Sequence, residues 1–292
     1  MVEYSKLTEI KMNEFYLNIF LKIFGISAAS GIEYTENRIY LISDNSNYLY
    51  EYQIANDTLS KHVLMQKSPM EQIKKSEKMD LEAIHIKGDT VFVLGSGSTP
   101  IRELGFSVSK KDRQINTIQL SNLYQNMRKN ANIDPSDFNI EGITQYRNNW
   151  LFLNRGNGPG GRNVIFDVIG DSLTDDFQIS SYEINLPQIN GLSFGFSGAT
   201  VIGNSLCFIA TAEEGKSTYE DGKVGGTLFG IINLNTKEIQ FNQIISQSQK
   251  FEGISLYDLQ NDTASFLLCE DDDGTTDTSS IFKLDIAYSF TD

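Results

Sequence analysis

Three glutamates stand in nearly the same setting: Glu82 in "LEAI", Glu141 in "IEGI" and Glu252 in "FEGI". Carboxylates that share a setting can hold a hard cation through their oxygens. They can also divide labour, one taking a proton while another stays ionised. Two further openings carry serine at the same place, Ser30 in "SGI" and Ser197 in "SGA". Successive openings lie 52 to 59 residues apart, so a unit of about fifty residues recurs along the chain.

Each opening leads into a short alternating run, a turn pair and a second run. The turn pairs are Glu36-Asn37, Gly88-Asp89, Arg147-Asn148 and Gly203-Asn204, followed by "RIYLIS", "TVFVLG", "NWLFLN" and "SLCFIA". Such pairs favour tight hairpins, where positive φ is needed. Two more strands follow in most units, and four short antiparallel strands per repeat predict a blade of a β-propeller. The chain therefore reads as all-β: a single propeller domain over residues 1–292, with five four-stranded blades (six as the alternative). The last unit has three strands, "FEGISLYD", "ASFLLCE" and "SIFKLDI". An open blade would leave an unpaired edge, so the N-terminal segment "YSKLTEIKM" is expected to close it. A short helix is expected in "SNLYQNMRKNANIDP", with Leu123, Tyr124 and Met127 on one side.

A propeller's first strand in each blade lines the central channel. The openings then form a ring at one mouth: Ser30, Glu82, Glu141, Ser197 and Glu252. Fourteen residues on, the hairpin returns to the same end, giving a second ring of Asp44, Ser96, Arg155 and Thr211, with Glu270 after a longer turn. Converging glutamates repel unless a positive charge or a proton sits among them. The expected cation is Ca²⁺, held by Glu82, Glu141, Glu252, Asp44 and Glu270. The structural alternative has each Glu bonding neighbouring backbone or pairing with Arg155. The Gly-rich loops "GSGSTPIRE" and "NRGNGPGGRN" could hold an anion with Ser96, Arg102, Arg155 and Arg162, or could be plain turns. "EEGKSTYEDGKVGG" is a lid or an exposed connection, and "EDDDG" a source of ligands or a solvated loop.

Other centres are excluded by what the chain lacks. It has two histidines, so no His-rich zinc centre, and no GxSxG elbow. His85 falls within an inner strand, either as a ligand or base or as a packed ring. Cys207 and Cys269 have no metal spacing and read as buried strand residues. A net charge of −14 argues against nucleic acid. No apolar run is long enough to span a membrane, and no signal peptide is recognisable. The expectation is a soluble, cytoplasmic monomer that takes a small-molecule ligand at the channel mouth.

The "SGIEY…RIYLISDNSNYLYEYQI" blade and the recurrent "LEAI", "IEGI" and "FEGI" openings resemble the esterase-like phytase and SdiA-regulated propeller proteins. The resemblance is closest to an uncharacterised bacterial branch, a domain of unknown function, and covers most of residues 28–286. It implies calcium-dependent phosphatase or lactonase chemistry, with Glu82, Glu141 and Glu252 as metal or water ligands and Arg155 as a substrate contact. On that reading Glu141 or Glu252 activates water and Arg155 stabilises developing negative charge. The chain lacks the lysine-rich anion pocket that phytate would need. A non-enzymatic module binding a small molecule or a protein is the alternative.

Overall fold

A computed structural model describes residues 15–65, 70–170, 172–214, 222–260, 263–272, 277–288 and 290. It has five antiparallel sheets arranged as the five blades of a β-propeller. Blade one comprises Ala29–Thr35, Arg38–Ser43, Tyr48–Gln53 and Thr58–Val63. Blade two comprises Leu81–Lys87, Thr90–Gly95, Leu104–Ser109 and Ile115–Gln119. Blade three comprises Ile140–Tyr146, Asn149–Asn154, Val164–Ile169 and Gln178–Glu183. Blade four comprises Leu192–Ile202, Ser205–Glu213, Val224–Asn233 and Glu238–Ser246, with the short strand Gln188–Ile189 added beside its first.

Blade five takes Phe251–Gln260, Thr263–Glu270 and Thr278–Ala287, and is completed by Phe15–Phe24 from the N-terminal side. Closure by an N-terminal strand matches the sequence expectation, but the strand is Phe15–Phe24. Residues 4–12, expected in that role, lie outside the described residues. Phe15–Phe24 reads poorly as a strand because Asn18 and Lys22 interrupt its apolar run; both point to solvent, and Ile23 carries the buried contact.

The core is divided among the blade interfaces. One cluster joins blades one and two through Ile42, Leu81 and Val93, and another joins blades two and three through Leu94, Phe138 and Phe152. Equivalent clusters lie between three and four, four and five, and five and one. The helix Ser121–Ala131 caps the second interface, burying Leu123, Tyr124 and Met127 as their spacing predicts. Its end is set by Asn132, whose left-handed backbone directs its N–H onto the carbonyls of Arg128 and Lys129.

Near the axis the five inner strands nearly touch. A methyl group built at Gly253 would lie 2.7 Å from the Ile32 nitrogen and 2.9 Å from the Gly31 Cα. The residue after the opening is accordingly small in every unit: glycine in four, and alanine, Ala83, in blade two.

Candidate functional site

The bulges decide which way the opening residues point. In every blade the pairing of the first two strands slips by one residue at the opening. Leu81 pairs with Gly95 and Ala83 with Leu94, leaving Glu82 as the extra residue; Ser30, Glu141, Ser197 and Glu252 are left out in the same way. A bulge re-aims its side chain out of the regular alternation. The two serines use this to fasten blades: Ser30 Oγ donates to the Leu81 carbonyl at 2.5 Å, and Ser197 Oγ to the Phe251 carbonyl at 2.8 Å. The three glutamates enter a charged cluster.

The returning strand supplies the second ring, with one correction. The N–H groups of Ser96 and Arg155 donate to the carbonyls of Asp80 and Asn139, and the matching bond in blade five runs from Asp271 to Lys250. Asp271, not Glu270, thus holds the ring position. The hairpin of blade five is longer by two residue pairs and also carries a second bulge near Tyr257, which adds a fifth residue. Glu270 stands one place earlier, opposite Phe251.

These bonds expose a third set that sequence reasoning missed, two residues before the openings: Asp80, Asn139 and Lys250. Lys250 Nζ lies 2.8 Å from Glu252 Oε1, 2.8 Å from Asp271 Oδ2 and 3.2 Å from Glu213 Oε1. Arg155 places Nη1 3.3 Å from Glu141 and 3.5 Å from Glu252, while Nη2 donates to Glu213 at 2.7 Å. Glu141 also accepts from the Asn139 amide at 2.6 Å. Across the mouth, Lys78 pairs with Asp44 and with Asp80 at 3.0 Å. Asp80 further accepts from Arg102 at 2.7 Å and from Ser96 at 2.6 Å. Aligning the repeats two residues upstream of each Glu would have revealed Asp80 and Lys250.

Charge in this cluster is unbalanced. Among the described residues, Asp44, Asp80, Glu82, Glu141, Glu213, Glu252 and Asp271 gather around four cations, Lys78, Arg102, Arg155 and Lys250. Burial, then the neighbouring Glu141, pushes the Glu82 carboxyl well above its usual range. Burial does the same to Glu252, against the pull of Lys250. Glu141 and Asp44 are also raised by burial, with Arg155 and Lys78 opposing. Burial acts to lower Lys250, but its carboxylate neighbours outweigh it and raise it instead. Among the described residues Glu82 has no ion-pair partner, and its Oε2 is buried without a hydrogen bond.

A calcium cage needs its oxygens within about 5 Å of one another, twice a Ca–O distance of about 2.4 Å. Among the described residues, one set of three carboxylates meets that limit: Asp44, Asp80 and Glu82, all within 4.8 Å. Glu82, Glu141 and Glu252 do not form such a set. The Lys78 ammonium already lies on Asp44 and Asp80, so the residues as arranged do not fit a resident calcium ion.

The arginines expected at an anion site are committed to the protein's own acceptors, Arg155 to three glutamates even where it borders a cleft. Arg102 is 2% exposed and spent on Asp80, Ser98 and the Lys75 carbonyl. Arg162 holds the carbonyls of Ala131 and Asn132 at the helix end and pairs with Glu183. The second glycine-rich loop folds on itself: Gly156 N–H donates to Asn163, Gly160 to Asp137 and Gly161 to Gly158. His85 pairs with Glu33 at 3.0 Å towards the far end of its strand and meets Trp150 edge-on. Cys207 and Cys269 are buried and free. Residues 215–221 and 273–276, which include much of the expected lid and acidic run, lie outside the described residues.

Two spaces adjoin the cluster. Along the axis, Glu82, Glu141 and Glu252 border a void of about 10 Å³, room for about one water. Beside it, between blades three and four, opens a cleft of about 510 Å³. Arg155, Thr211 and Glu213 line it, with residues 156–161 on one side and Leu192, Ser193 and Gly195 on the other.

Residues 25–286 match a family of unknown function, DUF6929. The chain belongs to that family. No curated protein matches it. Among solved structures it is similar to the allergen Mala s 1 of Malassezia sympodialis, with a TM-score of 0.55 and 12% identity, covering 91% of this chain and 95% of that one. It is similar to glutaminyl cyclase of Myxococcus xanthus, with 0.53 and 9% over 92% and 97%, and to a luciferin-regenerating enzyme, with 0.50 and 8% over 93% and 95%. At such identities these likenesses carry the fold alone. Within the described residues no helix is long and apolar enough to cross a membrane.

Proposed function

We propose that the protein is a recognition module that binds a small polar molecule in the cleft between blades three and four. One observation carries this reading. Of the two spaces beside the charged cluster, the one large enough for a ligand is bordered by Arg155, Thr211 and Glu213, whereas Glu141 and Glu252 border the axial void. A volume of about 510 Å³ lies in the range of small-molecule sites. Its walls are mostly glycine and polar side chains, with Leu192 and Pro159 the apolar contributors, which suits a hydrophilic ligand.

The test is a thermal-shift screen of small polar metabolites, with affinities for any hit measured in the parent and in Ser193→Trp, a substitution at an exposed lining residue that takes no part in the ion pairs. Affinity should fall at least about tenfold in the variant with its melting midpoint unchanged, and no hit should be turned over. Hits indifferent to Ser193→Trp would refute the cleft.

A calcium-dependent hydrolase of a small phosphoester or lactone, as the phytase resemblance implies, is the second reading. The unbonded oxygen of Glu82 beside Asp44 and Asp80 favours it. It requires Lys78 to withdraw from Asp44 and Asp80, and Glu141 or Glu252 to leave its ion pairs and reach a substrate. Turnover of such esters, dependent on Ca²⁺ and abolished by Glu141→Gln, would establish it in place of the binding module.

A further inference from the structure

We infer that Lys78 is the resident cation of a calcium-sized carboxylate cradle formed by Asp44, Asp80 and Glu82. The cradle has the dimensions of a metal cage, since its three ligand oxygens lie within 4.8 Å of one another. It also has an unsatisfied acceptor: Glu82 is 9% exposed, and among the described residues its Oε2 has no hydrogen-bond partner. Yet the Lys78 ammonium reaches in from the segment before the second blade and contacts two of the three carboxylates. A tethered ammonium and a divalent ion cannot share those oxygens, because like charges at such separations repel strongly in a poorly solvated site.

Lys250 provides an internal comparison. Its ammonium has three donors and three carboxylates within 3.2 Å: Glu252, Asp271 and Glu213. Those three carboxylates do not come within the cage limit that the Lys78 set satisfies. They are spaced for an ammonium, whose N–O distances exceed those of calcium by about 0.5 Å. The two lysines therefore stand in for a metal in different senses. Lys78 occupies a place a divalent ion could fill, and Lys250 a place it could not.

The experiment compares the full chain with Lys78→Met and Lys250→Met, each keeping an apolar stem of similar length. Thermal midpoints are measured after EDTA treatment, then with Ca²⁺ or Mg²⁺ added, and bound calcium is counted by equilibrium dialysis. The parent should bind none and show no shift. Lys78→Met should bind one Ca²⁺ and rise by several degrees when it is added, and the further change Glu82→Gln should abolish that gain. Lys250→Met should melt lower with no calcium response. If Lys78→Met does not fold in EDTA, recovery on adding Ca²⁺ is read by circular dichroism instead. Calcium bound by the parent, no calcium bound by Lys78→Met, or an equal response from Lys250→Met would each overturn the assignment.

Discussion

Among the described residues Glu82 is enclosed by acidic neighbours and has no ion-pair partner, and that should appear in the stability of the whole protein. Its carboxyl is raised well above the ordinary value of 4.5 in the folded chain, by burial first and then by Glu141. The folded form therefore holds a proton that the unfolded form releases. The resulting stabilisation is complete below about pH 4.5 and is lost as pH rises towards the folded value. Glu252, Glu141 and Asp44, raised by burial too, add to the same slope. Glu82→Gln removes one such group while keeping its shape, and its amide can donate to the carboxylates around it. Its stability at pH 8 should exceed the parent's by about 1–3 kcal/mol, the cost of a buried unsatisfied acceptor, and the two should converge near pH 5. Urea titrations across that range would show it; a parent that gains stability from pH 5 to pH 8 would refute it. How far this site was legible follows from the same residues. Glu82, Glu141 and Glu252 are visible because they recur in a repeated frame. Lys250 shares that frame two residues before Glu252, but its partners, like those of Lys78, come together only when the ring closes. The glycine-rich loops around Arg102 and Arg162 suggest anion binding, but a loop's composition does not say which carbonyls and carboxylates lie beneath it.

At the level of elements, the inner strand is under two constraints, and the opening motif records both. The bulge turns its first side chain out of the sheet, and the next residue must be small because neighbouring inner strands approach there. The constraint is uneven around the ring. A Cβ at Gly253 would meet backbone of blade one at 2.7 and 2.9 Å, whereas at Gly142 the nearest atom would be 3.5 Å away. Backbone cannot swing aside as a side chain can. Gly253→Ala should accordingly lose about 3 kcal/mol, the upper end of ordinary overpacking, while Gly142→Ala should stay within about 1 kcal/mol of the parent. Equal losses measured by denaturant unfolding would mean that the seam is not what selects glycine. The repeat frame was readable because hairpin turns and openings recur with near-constant spacing. It slipped at Glu270 because the second bulge near Tyr257 leaves no mark in composition.

For the whole molecule, the question is what stops a ring of five sheets from opening. The blades are joined by interface clusters of similar make-up, but the join between blades five and one connects the two ends of the chain. There Tyr34 N–H donates to Ser255 Oγ at 2.9 Å, and Ser255 Oγ donates to Glu33 at 3.0 Å. Glu33 in turn meets His85 of blade two at 3.0 Å, so three blades are clasped at the end of the channel away from the charged mouth. The strand Phe15–Phe24 adds the covalent part of the closure, pairing with Thr278–Ala287 and continuing directly into blade one. Its Ile23 is buried in the five-to-one cluster, with Phe20 and Leu21 packed against it, and Phe15 and Leu17 lie against the four-to-five cluster. Removing residues 1–24 would strip, among the described residues, one fully buried and four partly buried apolar side chains, a loss of about 5 kcal/mol. It would also expose the edge of Thr278–Ala287. The shortened chain should melt well below the parent and associate through that edge. A synthetic peptide of residues 15–24 supplied in trans should restore most of the midpoint and the parent's elution volume. A shortened chain as stable as the parent would place the closure entirely in the Ser255–Glu33–His85 clasp, and the fifth blade would need only the three strands that follow Lys250.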